Sequence, residues 1–363
     1  MIKTTDSPLP QRCLFSFISI ILLFVWGTTM LSASVSEPAE EVDRLPKIVA
    51  LGDMHGDYVP YEALMRDAGL IDGDGNWSGD DTIFVQTGDI PDRGPDTRKI
   101  IESLQKLEKQ APLSGGKVIP MVGNHEAMNV YRDLRYVHPG EFTAFASEDS
   151  EKLRADYFAA KREAIEAAFR DQQPDMTSDE IKEKWLENMP PGKLEHAIHW
   201  SPSGYIGKWV ARNRVVYKIG GYLFAHGGYS REYSRFTLDE MNTAASEALR
   251  TQDRSRESIL RDTLGPLWYR GNVRGRPDTK DFNASHEIAQ VLKTYDATHI
   301  IVGHTRNEKG IRVSRGGRLI QIDTGASAVY GGVPSYLRIE NGEFFAHTLS
   351  DVTRLNIAEV KIR

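Results

Sequence analysis

The fold is decided by KVIPMVGNHE, residues 117–126, in which an apolar run leads directly into Gly-Asn-His-Glu. Short apolar runs bounded by turn residues are typical of strands buried in a sheet, so residues 117–122 are predicted as a strand. The amide oxygen of Asn124 can bind a metal ion, while the adjacent imidazole of His125 stays free to transfer a proton. The stretch therefore predicts a strand that ends in a reactive site.

Two earlier segments have the same design. Strand-like Ile48–Leu51 leads into GDMHGD, which contains Asp53 and His55, and Thr82–Thr87 leads into GDIPDRG, which contains Asp89. Successive motifs are separated by about one βαβ unit of roughly 30 residues. Ligands in such sheets gather at the carboxyl ends of the strands. We therefore expect the three motifs to meet on neighbouring strands.

The later part of the chain contains several short, turn-linked strands. Two single histidines follow apolar runs there, His226 in AHGG and His304 in VGHT. Strand-rich ends with amphipathic helices between them predict an α/β domain in which two sheets pack together and helices cover the outside.

The alternation of strands and helices stops between the third and fourth motifs. Residues 141–193 are dense in Glu, Lys, Arg and Ala, and Thr177–Glu180 forms a capping-box sequence that opens a helix. We expect a helical insertion over about 141–212. It is either a lid over the site or a solvated helical pair with no role in binding.

The N-terminal segment has the features of a secretory signal peptide. Leu14–Trp26 is nearly all apolar, follows Lys3 and Arg12, and exits into small residues at 32–34. We therefore expect export to a periplasmic or extracytoplasmic location, with an uncleaved membrane anchor as the alternative. The predicted divisions are a signal peptide or anchor at 1–34, a linker at 35–46, a catalytic domain at 47–350 and a C-terminal tail at 351–363.

Composition excludes several classes of function. The single cysteine, Cys13, lies in the N-terminal segment, so a cleaved chain has neither disulfides, nor thiol catalysis, nor cysteine metal sites. The formal net charge of the 363-residue chain is −6, and removal of the first 34 residues makes it one unit more negative. This charge disfavours nucleic acid and anionic lipid as partners.

The ordered motifs resemble those of a known family. The set matches in order the motifs of the calcineurin-like metallophosphoesterases, phosphoprotein phosphatase branch: Gly52–Gly56, Gly88–Gly94, Gly123–Glu126, His226–Gly228 and Gly303–His304. The segments Trp77–Gly79, Met128–Asn129 and Arg135–Val137 are similar to those of the Shewanella-like protein phosphatases. The resemblance implies a calcineurin-like four-layer α/β/β/α sandwich of two mixed sheets flanked by helices.

The resemblance also implies two divalent transition-metal ions bridged by Asp89. The implied ligands are Asp53 and His55 for one ion, and Asn124, His226 and His304 for the other. Oxygen and imidazole ligands without thiolate suit manganese, which we expect first, and also iron or zinc. Two ions about 3.5–4 Å apart can hold a hydroxide between them and aim it at phosphorus for in-line attack.

Further residues have expected roles at the substrate. His125, oriented by Asp92, is placed to give a proton to the leaving oxygen. Arg93 offers a bidentate fork to the phosphoryl oxygens, which Asn124 also contacts. Arg270, in LWYRG, is either a second phosphate clamp or an ordinary surface arginine.

We therefore predict a metal-dependent phosphoric monoester hydrolase that acts on a phosphorylated protein or peptide. The sequence does not distinguish phosphotyrosine from phosphoserine or phosphothreonine as the substrate residue. The alternative is a small-molecule or nucleotide phosphohydrolase, for example one acting on dinucleoside polyphosphates. A third hypothesis, an inactive metal-binding interaction module, is disfavoured because a pure binder needs no proton donor such as His125.

Overall fold

The structure is a computed structural model that describes residues 45–276 and 279–357. The expected signal peptide at 1–34, Cys13 and most of the expected linker lie outside these ranges, so they stay predictions. Within the part of the chain that the structure describes, no helix is both long enough and apolar enough to span a bilayer.

Eleven strands of the described residues form two mixed sheets. The first sheet has the order β11-β10-β9-β1-β2-β3 and the second β4-β5-β6-β8-β7. The strands are β1 Ile48–Leu51, β2 Ile83–Gln86, β3 Lys117–Pro120, β4 Val216–Ile219, β5 Tyr222–Ala225, β6 His299–Val302, β7 Arg312–Ser314, β8 Leu319–Gln321, β9 Ser335–Glu340, β10 Glu343–Thr348 and β11 Val352–Arg354. β1, β2 and β3 are parallel, as are β5, β6 and β8, and the outer strands are antiparallel.

Helices connect these strands, and two 3₁₀ turns occur at Ala111–Ser114 and Tyr233–Arg235. The α-helices are α1 Tyr58–Asp67, α2 Thr97–Gln110, α3 Asn124–Val130, α4 Pro139–Phe145, α5 Ser150–Gln172, α6 Ser178–Asn188, α7 Lys193–His199, α8 Tyr205–Arg212, α9 Leu238–Thr251, α10 Gly271–Arg274 and α11 Ala284–Thr294.

The core is divided by the alternation of side chains along each strand. In β1, Ile48 and Ala50 pack between the two sheets with Phe224 of β5, whereas Val49 and Leu51 face the helical side. Each sheet thus contacts the other sheet on one face and helices on the other. The predicted fold class is confirmed.

Two strands were not predicted, β7 and β11. Both are three residues long, and Val352–Arg354 is exposed at all three positions, so neither shows the buried alternation that marks a strand. β11 pairs with β10 at the sheet edge. The sheet therefore extends into residues that the sequence had assigned to a C-terminal tail.

The insertion consists of helices α4–α8. α5, α6 and α7 contribute Phe158, Trp185 and Leu194 to a small separate cluster, and the Thr177 capping box forms as predicted. The insertion is fixed to α2 because the buried carboxylate of Glu141 accepts a hydrogen bond from Thr97 and lies 3.1 Å from His196 Nε2.

Candidate metal centre

The first two motifs are held together by the backbone at the ends of β1 and β2. The amides of Met54 and His55 both donate to the carbonyl oxygen of Asp89, each at 3.0 Å. Since β1 and β2 are parallel neighbours, both motif loops leave the same edge of the sheet.

Glu126 fixes the third motif to the second. Its buried carboxylate accepts hydrogen bonds from the amides of Asp89, Ile90 and Gly123 at 3.0, 2.7 and 2.6 Å. Burial, followed by the charge of Asp89, raises the pKa of Glu126 to about 7. Glu126 therefore fixes the conformation of the second and third motif loops through buried hydrogen bonds.

Asp89 lies at the centre of the cluster. Its Oδ2 is 3.2 Å from His226 Nε2, 3.8 Å from His125 Nε2 and 3.9 Å from His55 Nε2, while its Oδ1 accepts the amide of His125. Two groups of residues could each hold an ion, one formed by His55, Asp89 and His125 and the other by Asp89, His226 and His304. Asp89 belongs to both.

The remaining expected ligands complete these two groups. His226 Nε2 lies 3.0 Å from Asn124 Oδ1 and 3.2 Å from His304 Nδ1. His55 Nε2 lies 4.0 Å from Asp53 Oδ2, and the Asp53 carboxylate accepts the amide of His304. The structure thus brings all six expected ligands together, and their coordination of metal stays a prediction.

The electrostatics of the buried cluster suit bound cations. Burial lowers the pKa of His55 to about 3 and that of His304 well below its usual value, so both imidazoles are neutral and have lone pairs to offer. Burial and the charges of Asp323 and Asp89 raise the pKa of Asp53. His304 Nε2 and Asp323 Oδ2 are buried without a hydrogen-bond partner among the described residues. The donor set therefore fits hard or borderline divalent ions.

His125 is bound on one side and open on the other. Its Nδ1 contacts Asp92 Oδ2, and Asn129 Nδ2 donates to Asp92 Oδ1 at 2.9 Å. Burial alone would lower the pKa of His125, but the charges of Asp89 and Asp92 outweigh it and raise the pKa to about 9. Nε2 faces the cluster, 3.8 Å from Asp89, as a proton donor requires.

Arginine and aromatic side chains line the cleft above this cluster, which has a volume of about 270 Å³. Arg93 lies 4.0 Å above the ring of Tyr136, and Arg306 lies 4.0 Å from the ring of Tyr330. Arg270 Nη1 donates to the His304 carbonyl oxygen at 2.6 Å. Arg270 is therefore part of the cleft wall, which answers the question of its location that the sequence left open.

The helical insertion does not form the cleft. None of residues 141–212, all of which the structure describes, lines it. α4 instead packs on α2 through Glu141, and α7 packs on α4 through His196, so this arrangement favours a helical pair beside the site, and a lid stays a prediction. A larger groove of about 500 Å³ lies along α9 and contains none of the clustered residues.

The backbone of the site is strained. Left-handed φ angles occur at His55 (49°), Asp89 (55°), Asp92 (73°), Arg93 (69°) and His304 (61°). Each such non-glycine conformation costs of order 1–3 kcal/mol and persists only where the surroundings enforce it. Here the enforcing contacts are the hydrogen bonds between motif loops.

Sequence reasoning missed three supporting residues, Glu126, Asn129 and Asp323. Glu126 and Asn129 stand within or just after the third motif, but their contacts depend on loop geometry that a sequence does not display. Asp323 follows β8 as Asp53 follows β1, and this shared position at a strand end was the available signal.

The chain is similar to known phosphoesterases and phosphatases. A family model described as calcineurin-like phosphoesterase matches residues 46–307. An uncharacterised protein of Schizosaccharomyces pombe is 30% identical over 344 residues, which make up 92% of this chain and 89% of the relative. Shewanella-like protein phosphatase 2 of Arabidopsis thaliana is 28% identical over 305 residues, 82% of this chain and 76% of the relative.

A solved structure is also similar. It is the cold-active protein-tyrosine phosphatase of a psychrophilic Shewanella species, with a TM-score of 0.63 and 27% identity. The match covers 86% of this chain and 81% of that protein. The similarity to all these proteins therefore extends over most of each chain.

Proposed function

This chain belongs to the calcineurin-like phosphoesterase family and is a metal-dependent phosphoesterase hydrolase, and we propose that it hydrolyses phosphate monoesters of proteins or peptides. The observation that carries the proposal is the position of Asp89, whose Oδ2 lies within 4 Å of three imidazoles. A carboxylate shared by two ligand groups suits a pair of divalent ions. Manganese is the first candidate, ahead of iron and zinc.

Several residues of the site have a role in the proposed reaction. Bound divalent ions supply Lewis-acid polarisation of the phosphoryl oxygens. Arg93 and Arg270 donate to the same oxygens, and Asn124 is both a metal ligand and a phosphate contact. His125 gives its Nε2 proton to the leaving oxygen, while Asp92 holds the ring and stabilises its charged form.

A small-molecule phosphohydrolase is the second candidate. It is favoured by the charge of the cleft, whose wall contains four guanidinium groups: Arg93, Arg270, Arg274 and Arg306. One phosphomonoester does not require four cations, whereas a nucleotide or dinucleoside polyphosphate carries several phosphates. A phosphopeptide with several acidic side chains could also pair with these four guanidinium groups.

A substrate panel tests the function. Protein loaded with Mn²⁺ is assayed on phosphotyrosine and phosphoserine peptides of equal sequence, on nucleotides and on dinucleoside polyphosphates. We expect the highest kcat/KM on a phosphopeptide. A consistent preference for the polyphosphates would replace the peptide proposal with the second candidate, and no turnover on any phosphate ester would contradict both.

We also propose that the protein is exported and that the mature chain starts near Ser34–Val35. The support is the basic start, apolar centre and small-residue exit of residues 1–34. Cell fractionation of the native host, followed by N-terminal sequencing, is expected to find a shortened chain outside the cytoplasm. An intact Met1 on cytosolic protein would refute export, and an intact Met1 on membrane protein would support an anchor.

A further inference from the structure

Asp323 lies beside the candidate metal centre, although it follows a strand of the second sheet and the first three motifs follow strands of the first sheet. It comes two residues after β8, and its backbone packs against the end of β1. A Cβ atom added to Gly52 would lie 3.0 Å from the Asp323 amide nitrogen and would also overlap the Ile322 carbonyl oxygen. Only glycine permits this approach, which brings Asp323 next to Asp53.

The carboxylate of Asp323 is buried and only half satisfied. Its side chain is 1% exposed. Oδ1 accepts the amide of Gly325 at 3.0 Å, whereas Oδ2 receives no hydrogen bond from an N–H or hydroxyl donor among the described residues. A buried carboxylate oxygen without a partner is costly unless a cation or donor satisfies it. Asp323 also lines the cleft that contains the expected ligands.

The neighbours of Asp323 add to this cost. Asp53 and Asp89 are also buried carboxylates: the charge of Asp89 acts on both Asp53 and Asp323, and the side chains of Asp53 and Asp323 interact directly with each other. Three carboxylates in one water-poor site are costly when all of them are charged, and a bound cation offsets that cost. When divalent ions are bound, a further carboxylate is favourable instead of costly, because it strengthens the binding of the ions.

We propose that Asp323 is an additional carboxylate of the metal centre, which increases the affinity for the ion held by Asp53 and His55. The inference rests on the proposed function, since it assumes that these residues bind metal. It adds a residue whose role would not be visible from substrate turnover alone.

The test compares metal affinity and metal-free stability in Asp323→Asn. The asparagine keeps the oxygen that accepts the Gly325 amide and places a neutral amide next to Asp53. Titration of the metal-free protein with Mn²⁺ is expected to show one site about 10- to 100-fold weaker, the usual effect of losing a supporting group of a metal site. The metal-free variant should melt at the same or a higher temperature than metal-free wild type, because a second buried carboxyl group no longer lies beside Asp53. Its gain in melting temperature with Mn²⁺ should be smaller.

Glu141→Gln is the matched control. It also removes a buried carboxylate, but this one belongs to the insertion and contacts Thr97 and His196. It should bind Mn²⁺ as wild type does. If Glu141→Gln also binds Mn²⁺ more weakly than wild type, loss of any buried carboxylate reduces the affinity, and the proposal is overturned.

Wild-type Mn²⁺ affinity at both sites of Asp323→Asn would also overturn it. If Asp323→Asn does not fold, Asp323→Ser is measured in the same way. Failure of both to fold without metal would mean that Asp323 stabilises the chain itself, which contradicts the proposal. The proposed function is judged separately, by whether the wild-type protein binds Mn²⁺ and hydrolyses phosphate esters.

Discussion

Asp89→Asn is expected to remove nearly all turnover together with at least one metal ion. A neutral amide is a weak bridge between two cations, and a metal pair supplies several kcal/mol of transition-state stabilisation, which corresponds to ~10³-fold or more in rate. The loop geometry should survive, because the asparagine oxygen can still accept the amide of His125. The measurements are metal content by mass spectrometry and kcat/KM on p-nitrophenyl phosphate.

Asp72→Asn provides the control for Asp89→Asn. Asp72 accepts two amides in an exposed turn outside the cleft, so its replacement should leave metal content and turnover unchanged. Fully active Asp89→Asn protein, or wild-type protein that is fully active with one ion or none, would refute the bridging role of Asp89.

His125→Asn is expected to reduce turnover in proportion to the basicity of the leaving group. A good leaving oxygen departs as an anion, while a poor one needs a proton, and general acid catalysis is typically worth about 10²- to 10⁴-fold. We therefore expect a loss of that size on phosphoserine and a much smaller loss on p-nitrophenyl phosphate. Metal content should hardly change, because the six expected ligands remain and His125 is not one of them, since its pKa of about 9 keeps the ring protonated and without a lone pair for metal.

Asp92→Asn should show the same pattern in a weaker form. Asp92 contacts His125 Nδ1 and so orients the ring and raises its basicity, but it donates no proton itself. Kinetics on both esters, with metal content measured in parallel, separate the two roles. Equal losses on both esters with both ions retained would mean that His125 positions the phosphate instead of protonating the leaving group.

Much of the fold was predictable because its signals are local. The strands β1, β2 and β3 each combine an apolar run with a polar motif at the carboxyl end, and parallel pairing then brings Asp53, Asp89 and Asn124 together. The candidate ligands followed from residue type and order, and the structure places them in one cluster. Their roles at a metal were implied by the family resemblance and stay predictions.

Other features depend on contacts between distant segments. Asp323 approaches Asp53 only because the two sheets pack at Gly52, and no pattern within either segment encodes that packing. The position of the insertion likewise depends on contacts with distant segments, such as the buried hydrogen bond from Thr97 to Glu141, and both are ordinary residues for helices. β11 carries too little buried surface to be distinguished from a tail.

The left-handed backbone at Arg93 has a consequence for directed evolution. Glycine at position 93 would relax the strain, and substitutions of this kind change stability by about 1–3 kcal/mol. A screen that selects only for heat resistance would therefore favour loss of the guanidinium above Tyr136. Thermostable variants of this enzyme should be selected for turnover at the same time, because stability and activity make opposite demands on this residue.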